Sequence, residues 1–139
     1  MDYRASNNKI VLRIDKGEEI VTTLNSLCSK LNIKTAFISG IGACDRGTIG
    51  FLDLQTKEYL KYEFEEEFEI TSLIGNITRK DEKPYIHLHI NLSNKDMQTF
   101  GGHLNKAYIS ATCEILIDII DIDVDRQIDE DLNLNIFKF

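Results

Sequence analysis

Across residues 34–122 the apolar side chains fall with a period of two, the spacing that buries one side of a pleated strand and leaves the other in water. A chain written this way for most of its length must build a sheet. Turn-forming residues at Asp45-Arg46-Gly47, Gln55-Thr56-Lys57 and Asp81-Glu82-Lys83-Pro84 divide the run. Connections this short join antiparallel neighbours, because a parallel pair needs a long crossover. The strands expected are 48–54, 58–64, 69–78, 85–92 and 107–122, with 96–102 as a loop or a short helical turn.

Upstream the period changes. Lys9-Ile10-Val11-Leu12-Arg13-Ile14 reads as a first strand, and Asp15 and Glu18 have the spacing of a capping box that opens a helix. Ile20, Leu24, Leu27 and Leu31 follow at steps of four, three and four, placing one apolar stripe against a core. Downstream, Leu132-Asn133-Leu134-Asn135-Ile136 alternates again as a last edge strand. At 139 residues this is one domain, 1–139 with a core of about 8–136, of α/β (α+β) class: a mostly antiparallel sheet with one packed helix.

A formal charge of -7 gives a surface that repels phosphate backbones and anionic lipid. The densest basic grouping, Arg79-Lys80 with Lys83, sits among Asp81 and Glu82, which cancel it. Acidic stretches at 63–69 and 118–131 read as solvated faces. Three cysteines, at 28, 44 and 113, have no Cys-x-x-Cys pair and suggest a reducing compartment. With no apolar run near the roughly 18 residues of a membrane span, a cytoplasmic protein without membrane contact is the simplest expectation.

The three histidines are concentrated in His87-Leu88-His89 and Gly101-Gly102-His103. In a strand, positions i and i+2 share a face about 7 Å apart, so His87 and His89 project together while Ile86, Leu88 and Ile90 line the other side. The two glycines before His103 permit a tight turn and close backbone approach, which would bring a third ring to the same point. Three imidazoles hold zinc or another divalent transition metal and leave a fourth position open. The alternative is a set of hydrogen-bonded histidines lining a polar pocket, or exposed histidines that meet nothing.

Other residues bear on that site. Glu114 interrupts an apolar strand and shares a face with Ser110 and Thr112, where a carboxylate would orient an imidazole or serve as general base, the candidate catalytic group. It is equally well read as paired with a lysine or solvated. Asn76, after Gly75 inside a strand, is a candidate pocket residue offering an amide. Cys113 points to the apolar side as a core thiol. Ser39-Gly40-Ile41-Gly42 lacks the third glycine and following helix of a dinucleotide loop, so these glycines mark a bend, a bulge or a close approach. Asp121-x-Asp123-x-Asp125 is no calcium loop, since Arg126 and Leu132 stand where glycine and glutamate are needed.

Taken in order, Asp15-Lys16-Gly17-Glu18-Glu19, Phe37-Ile38-Ser39-Gly40-Ile41-Gly42-Ala43, Ile70-Thr71-Ser72-Leu73-Ile74-Gly75-Asn76-Ile77, His87-Leu88-His89, Gly101-Gly102-His103-Leu104 and Ala111-Thr112-Cys113-Glu114 resemble the PPC domain, also called PCC, of plants and prokaryotes. The resemblance spans about residues 13–134. It implies a compact domain that assembles as a homotrimer, with His87, His89 and His103 at the positions of a metal site, zinc by expectation, close to a subunit boundary. In plants the domain follows a basic AT-hook, hence the family's DNA-binding label. No Arg-Gly-Arg-Pro core occurs in this chain.

Three functions follow as expectations. The first is a trimeric regulatory or interaction module that binds a metal or small-molecule ligand at the three histidines and contacts a protein partner. The second is a zinc-dependent enzyme using a metal-bound water, with Glu114 assisting. The third is a DNA-binding regulator, which the charge and the missing AT-hook disfavour.

Overall fold

The computed structural model describes residues 1–139. Eight strands and one helix follow in the order β1 (Asp2–Ser6), β2 (Lys9–Asp15), α1 (Ile20–Leu31), β3 (Ala36–Leu52), β4 (Tyr59–Lys80), β5 (Lys83–Ser93), β6 (Thr99–Ile119), β7 (Asp125–Asp129) and β8 (Leu134–Lys138). Every strand pairing is antiparallel. The main sheet runs β1-β2-β6-β3-β4-β5, and β5 then returns to pair with β6, so β3, β4, β5 and β6 close on themselves. The remaining edge of β6 is shared: residues 99–103 lie against β5, and residues 112–118 lie against β2.

Between residues 34 and 122 there are four strands, fewer and longer than the five that the turn residues predict. Asp45-Arg46-Gly47 is no turn but the middle of β3, where the register slips between Cys44 and Arg46. A further slip falls between Gly40 and Gly42. Residue types that make turns also tolerate the irregular backbone of a bulge, and the bulges bend one long strand so that the sheet can close. A Cβ on Gly42 would strike the Thr112 and Cys113 backbone, which is the close approach expected of that glycine. The acidic segment 63–69 likewise runs through β4 with Phe64 and Phe68 buried between exposed carboxylates.

Helix α1 starts four residues after the expected position. Its N-cap is Glu19, whose carboxylate accepts from Val21 N and Thr22 N, and also from Ala107 N of β6 at 3.1 Å. Glu18 still accepts from Asp15 N at 2.8 Å, but Asp15 is engaged by Arg13, so this half of the box closes the turn after β2. Ile20, Leu24, Leu27 and Cys28 are buried under the sheet. Facing them is a continuous apolar core that includes Leu12, Ile38, Leu73, Leu88, Ile90, Cys113 and Ile115.

Strand parity sorts the two faces as anticipated on β5: Leu88 and Ile90 enter the core, and His87 and His89 lie on the other side. The outer face is also unusually apolar. One row crosses it through the register pairs Val11, Leu116, Ser39, Ile74 and His89. Val11, Phe37, Ile41, Ile74 and Leu116 on this face are 44–59% exposed. No helix of the chain is long and apolar enough to cross a membrane.

Candidate metal centre

The seam where the strands close places the histidines. His89 of β5 is the direct partner of His103 on β6, and His103 in turn faces Gly50 of β3. His87, two residues back on the same face of β5, stands beside Asn76 of β4. The ring centroids are 5.1 Å apart for His87 and His103, 5.3 Å for His87 and His89, and 5.6 Å for His89 and His103. One donor nitrogen from each falls within 4.8 Å of the others. Three atoms so grouped can share a single ion after modest rotamer adjustment, given zinc-to-imidazole bonds of about 2.0–2.1 Å.

Gly101 and Gly102 deliver His103 by a different route from a turn. Both are strand residues, opposite Asn91 and Ile90 of β5. A Cβ on Gly102 would lie 2.7 Å from Gly50 O, and one on Gly101 would strike Asn91 and the Ile90 carbonyl. The pair lets β3, β5 and β6 crowd together at the seam. Gly50 likewise leaves room for the Tyr59 ring, which stands edge-on to His103 at 6.3 Å while its hydroxyl donates to Asn105 Oδ1.

Electrostatics favour the neutral form of two of the rings, His87 and His103. Burial pushes the His87 imidazole down to about 4, helped by the charges of His103, Arg126 and His89. His103 is also lowered, by burial and then by His89. Neutral imidazole is the ligating form.

Glu114 does not join this cluster within one chain. It lies on the exposed face, in register with Arg13 of β2 and Ile41 of β3. From His89 the path to β6 along the row crosses β4 and β3, three strand spacings or roughly 14 Å. Asn76, by contrast, is beside His87, and its Oδ1 accepts from Arg126 Nη2 at 2.7 Å. Cys113 is fully buried and its thiol is raised to about 12 by burial, as a core residue should be.

Arg126 is the site residue that sequence reasoning missed. It rises from β7 and is 8% exposed. Its Nε donates to Thr78 Oγ1 and its Nη1 to Asn135 O, each at 2.7 Å. The guanidinium lies over Tyr85 at 4.5 Å and Phe137 at 4.8 Å. The available signal was a lone arginine in an otherwise acidic run, followed by the alternation of residues 132–136.

The class is thereby defined: a small α+β domain whose sheet closes at a seam carrying three imidazoles. The chain belongs to the Plants and Prokaryotes Conserved (PCC) domain family, whose profile matches residues 1–121. It is similar over 99% of its length to a candidate DNA-binding protein from Bacteroides thetaiotaomicron, with 35% identity, 96% of that chain covered and a TM-score of 0.96. A metal-containing protein from Archaeoglobus fulgidus shares 33% identity over 99% of this chain and 97% of its own, at a TM-score of 0.88. The plant- and prokaryote-conserved protein of Pyrococcus horikoshii shares 29% identity over 99% and 95%, at 0.87. The chain is also 28% identical over 121 residues to the bifunctional protein GlmU of Synechococcus sp. (strain JA-3-3Ab), spanning 85% of this chain and 18% of that protein.

Proposed function

We propose that this chain is a homotrimeric metal-binding module in which His87, His89 and His103 hold one divalent transition ion, zinc by preference, with a position left open for a small ligand. The observation that carries this reading is the convergence of three imidazole donor nitrogens within 4.8 Å, with no carboxylate or thiol among them. Three protein ligands with the fourth position free is the pattern of a site that binds or transforms a ligand rather than one that staples a fold. The Archaeoglobus relative, a metal-containing protein, supports it.

The trimer is supported by the outer face. Val11, Phe37, Ile41, Ile74 and Leu116 form an apolar surface of the kind that further copies of the chain would cover, and the row that contains Ile74 ends on His89. That arrangement puts the metal site beside a subunit boundary. It also buries Glu114, whose neighbours on this face are Ile41 and Leu116, within the interface.

Metal analysis of untagged protein tests the site. One zinc-class ion per chain is expected, lost in His89→Ala without loss of the assembled state, and metal-free wild type would overturn the reading. Sedimentation equilibrium tests the assembly, with Leu116→Glu expected to yield monomers. A DNA-binding reading has support from the Bacteroides relative's description, but the -7 charge opposes it. Mobility shift on AT-rich duplex at near-physiological salt is expected to show no complex.

A further inference from the structure

The charges around the histidines do not balance. A divalent ion held by three neutral imidazoles keeps its full charge, and Arg126 brings a second cation to the same face of the sheet, since it binds Asn76, the register partner of His87. Arg126 forms no ion pair with any acidic residue of the chain. A buried guanidinium without a counter-ion is costly, and a dication nearby raises that cost.

Donors are available as well as charge. Arg126 has five N–H groups, of which three donate, to Thr78, Asn135 and Asn76. One N–H on each terminal nitrogen is left over. Because Asn76 turns its Oδ1 to Arg126, its amide nitrogen is directed away from the arginine, and this NH₂ has no acceptor in the chain. The arginine is also held rigidly, between Tyr85 and Phe137, so its position is set before any ligand arrives.

We propose that the open position beside the three histidines takes a small oxyanion, a carboxylate or a phosphate, with Arg126 as its counter-charge and the Asn76 amide as a further donor. One oxygen of such a ligand completes the metal's coordination while another accepts from the guanidinium, the planar fork suited to both anions. The β7-β8 hairpin is then the element that gives the site its ligand class. It lies beyond the residues matched by the family profile. The inference rests on the metal reading for one of its two anchors.

Untagged wild type loaded with Co²⁺ provides the test, because the visible cobalt band responds to a change of ligand. Acetate and inorganic phosphate are titrated separately, and the stronger binder identifies the source. At least one is expected to shift the band at millimolar concentration. Arg126→Gln should weaken that anion about tenfold or more while cobalt affinity stays within about threefold, and Arg126→Lys should recover part of the loss. An intact cobalt band in wild type that ignores both anions overturns the proposal without recourse to any variant. So does equal anion affinity in wild type and a folded Arg126→Gln. If cobalt fails to bind wild type, the metal reading has failed separately. The anion is then read on metal-free protein by thermal melting, where phosphate must stabilise wild type but not Arg126→Gln, or the inference falls too.

Discussion

Gly102→Ala probes the seam where fold and site are the same structure. The added Cβ would sit 2.7 Å from Gly50 O, whereas ordinary contact begins at 3.4 Å, so β3 and β6 must part by about 0.7 Å. The obstacle is backbone, which has no rotamer by which to escape. Overpacking of this kind costs about 1–3 kcal/mol, and the stiffer unfolded chain offsets about 0.4–1 kcal/mol of it. A net loss of about 1–2 kcal/mol lowers Tm by roughly 3–7 °C in a domain of this size. His103 is the next residue, and a displacement of about 0.7 Å exceeds the roughly 0.2 Å tolerance of a metal–ligand bond. Zinc affinity, measured by competition with a chromophoric chelator, is therefore expected to fall about tenfold or more. The control is Gly17→Ala, where φ is +86° and nothing lies within 4 Å of the new Cβ. That change should lower Tm through backbone strain of about 1 kcal/mol and leave zinc affinity alone. A Gly102→Ala protein that melts with wild type and binds zinc equally would refute the account of the seam.

Glu19→Ala removes the acceptor for Val21 N, Thr22 N and Ala107 N together, and urea denaturation should show a loss of about 1–2 kcal/mol, reduced in Glu19→Gln, which keeps one acceptor oxygen. The three thiols are all buried and raised to about 12. A folded group raised this far stays protonated throughout pH 7–9, so labelling of native protein by a thiol reagent should be slow. It should also lack the acceleration shown near pH 8.5 by an exposed cysteine. Denatured protein should titrate three thiols, and rapid native labelling would contradict the burial.

Two of the three histidines were legible because strand parity is a local property. Once residues 85–92 are read as a strand, His87 and His89 must share a face, and they do. His103 reaches them through sheet closure, which no local rule specifies. Its glycines suggested a tight turn and close backbone approach; there is no turn, and the close approach is what lets three strands crowd. The same ambiguity turned Asp45-Arg46-Gly47 into an expected turn, where the chain instead takes a bulge and continues. Glu114 had the right parity for the outer face, but its distance from the histidines depends on strand order, since β3 and β4 intervene. Arg126 was hidden because an acidic run reads as solvated surface, and only tertiary docking of β7 buries one member of it. The helix stripe, by contrast, matched its burial at Ile20, Leu24 and Leu27.

Strand β6 pairs with β2, β3 and β5, and this has a consequence for how the molecule forms. Before residues 99–119 are added, the chain offers the β1-β2 hairpin and the β3-β4-β5 meander, with no strand pairing between them. Nearly all joining of the sheet waits for one late segment, a topology of high contact order that folds on the millisecond-to-second scale. Docking of β6 also brings in His103. A metal held by all three histidines, as proposed, would be captured only as the native topology forms, and stopped-flow zinc uptake by refolding chains should keep pace with closure of the sheet instead of preceding it.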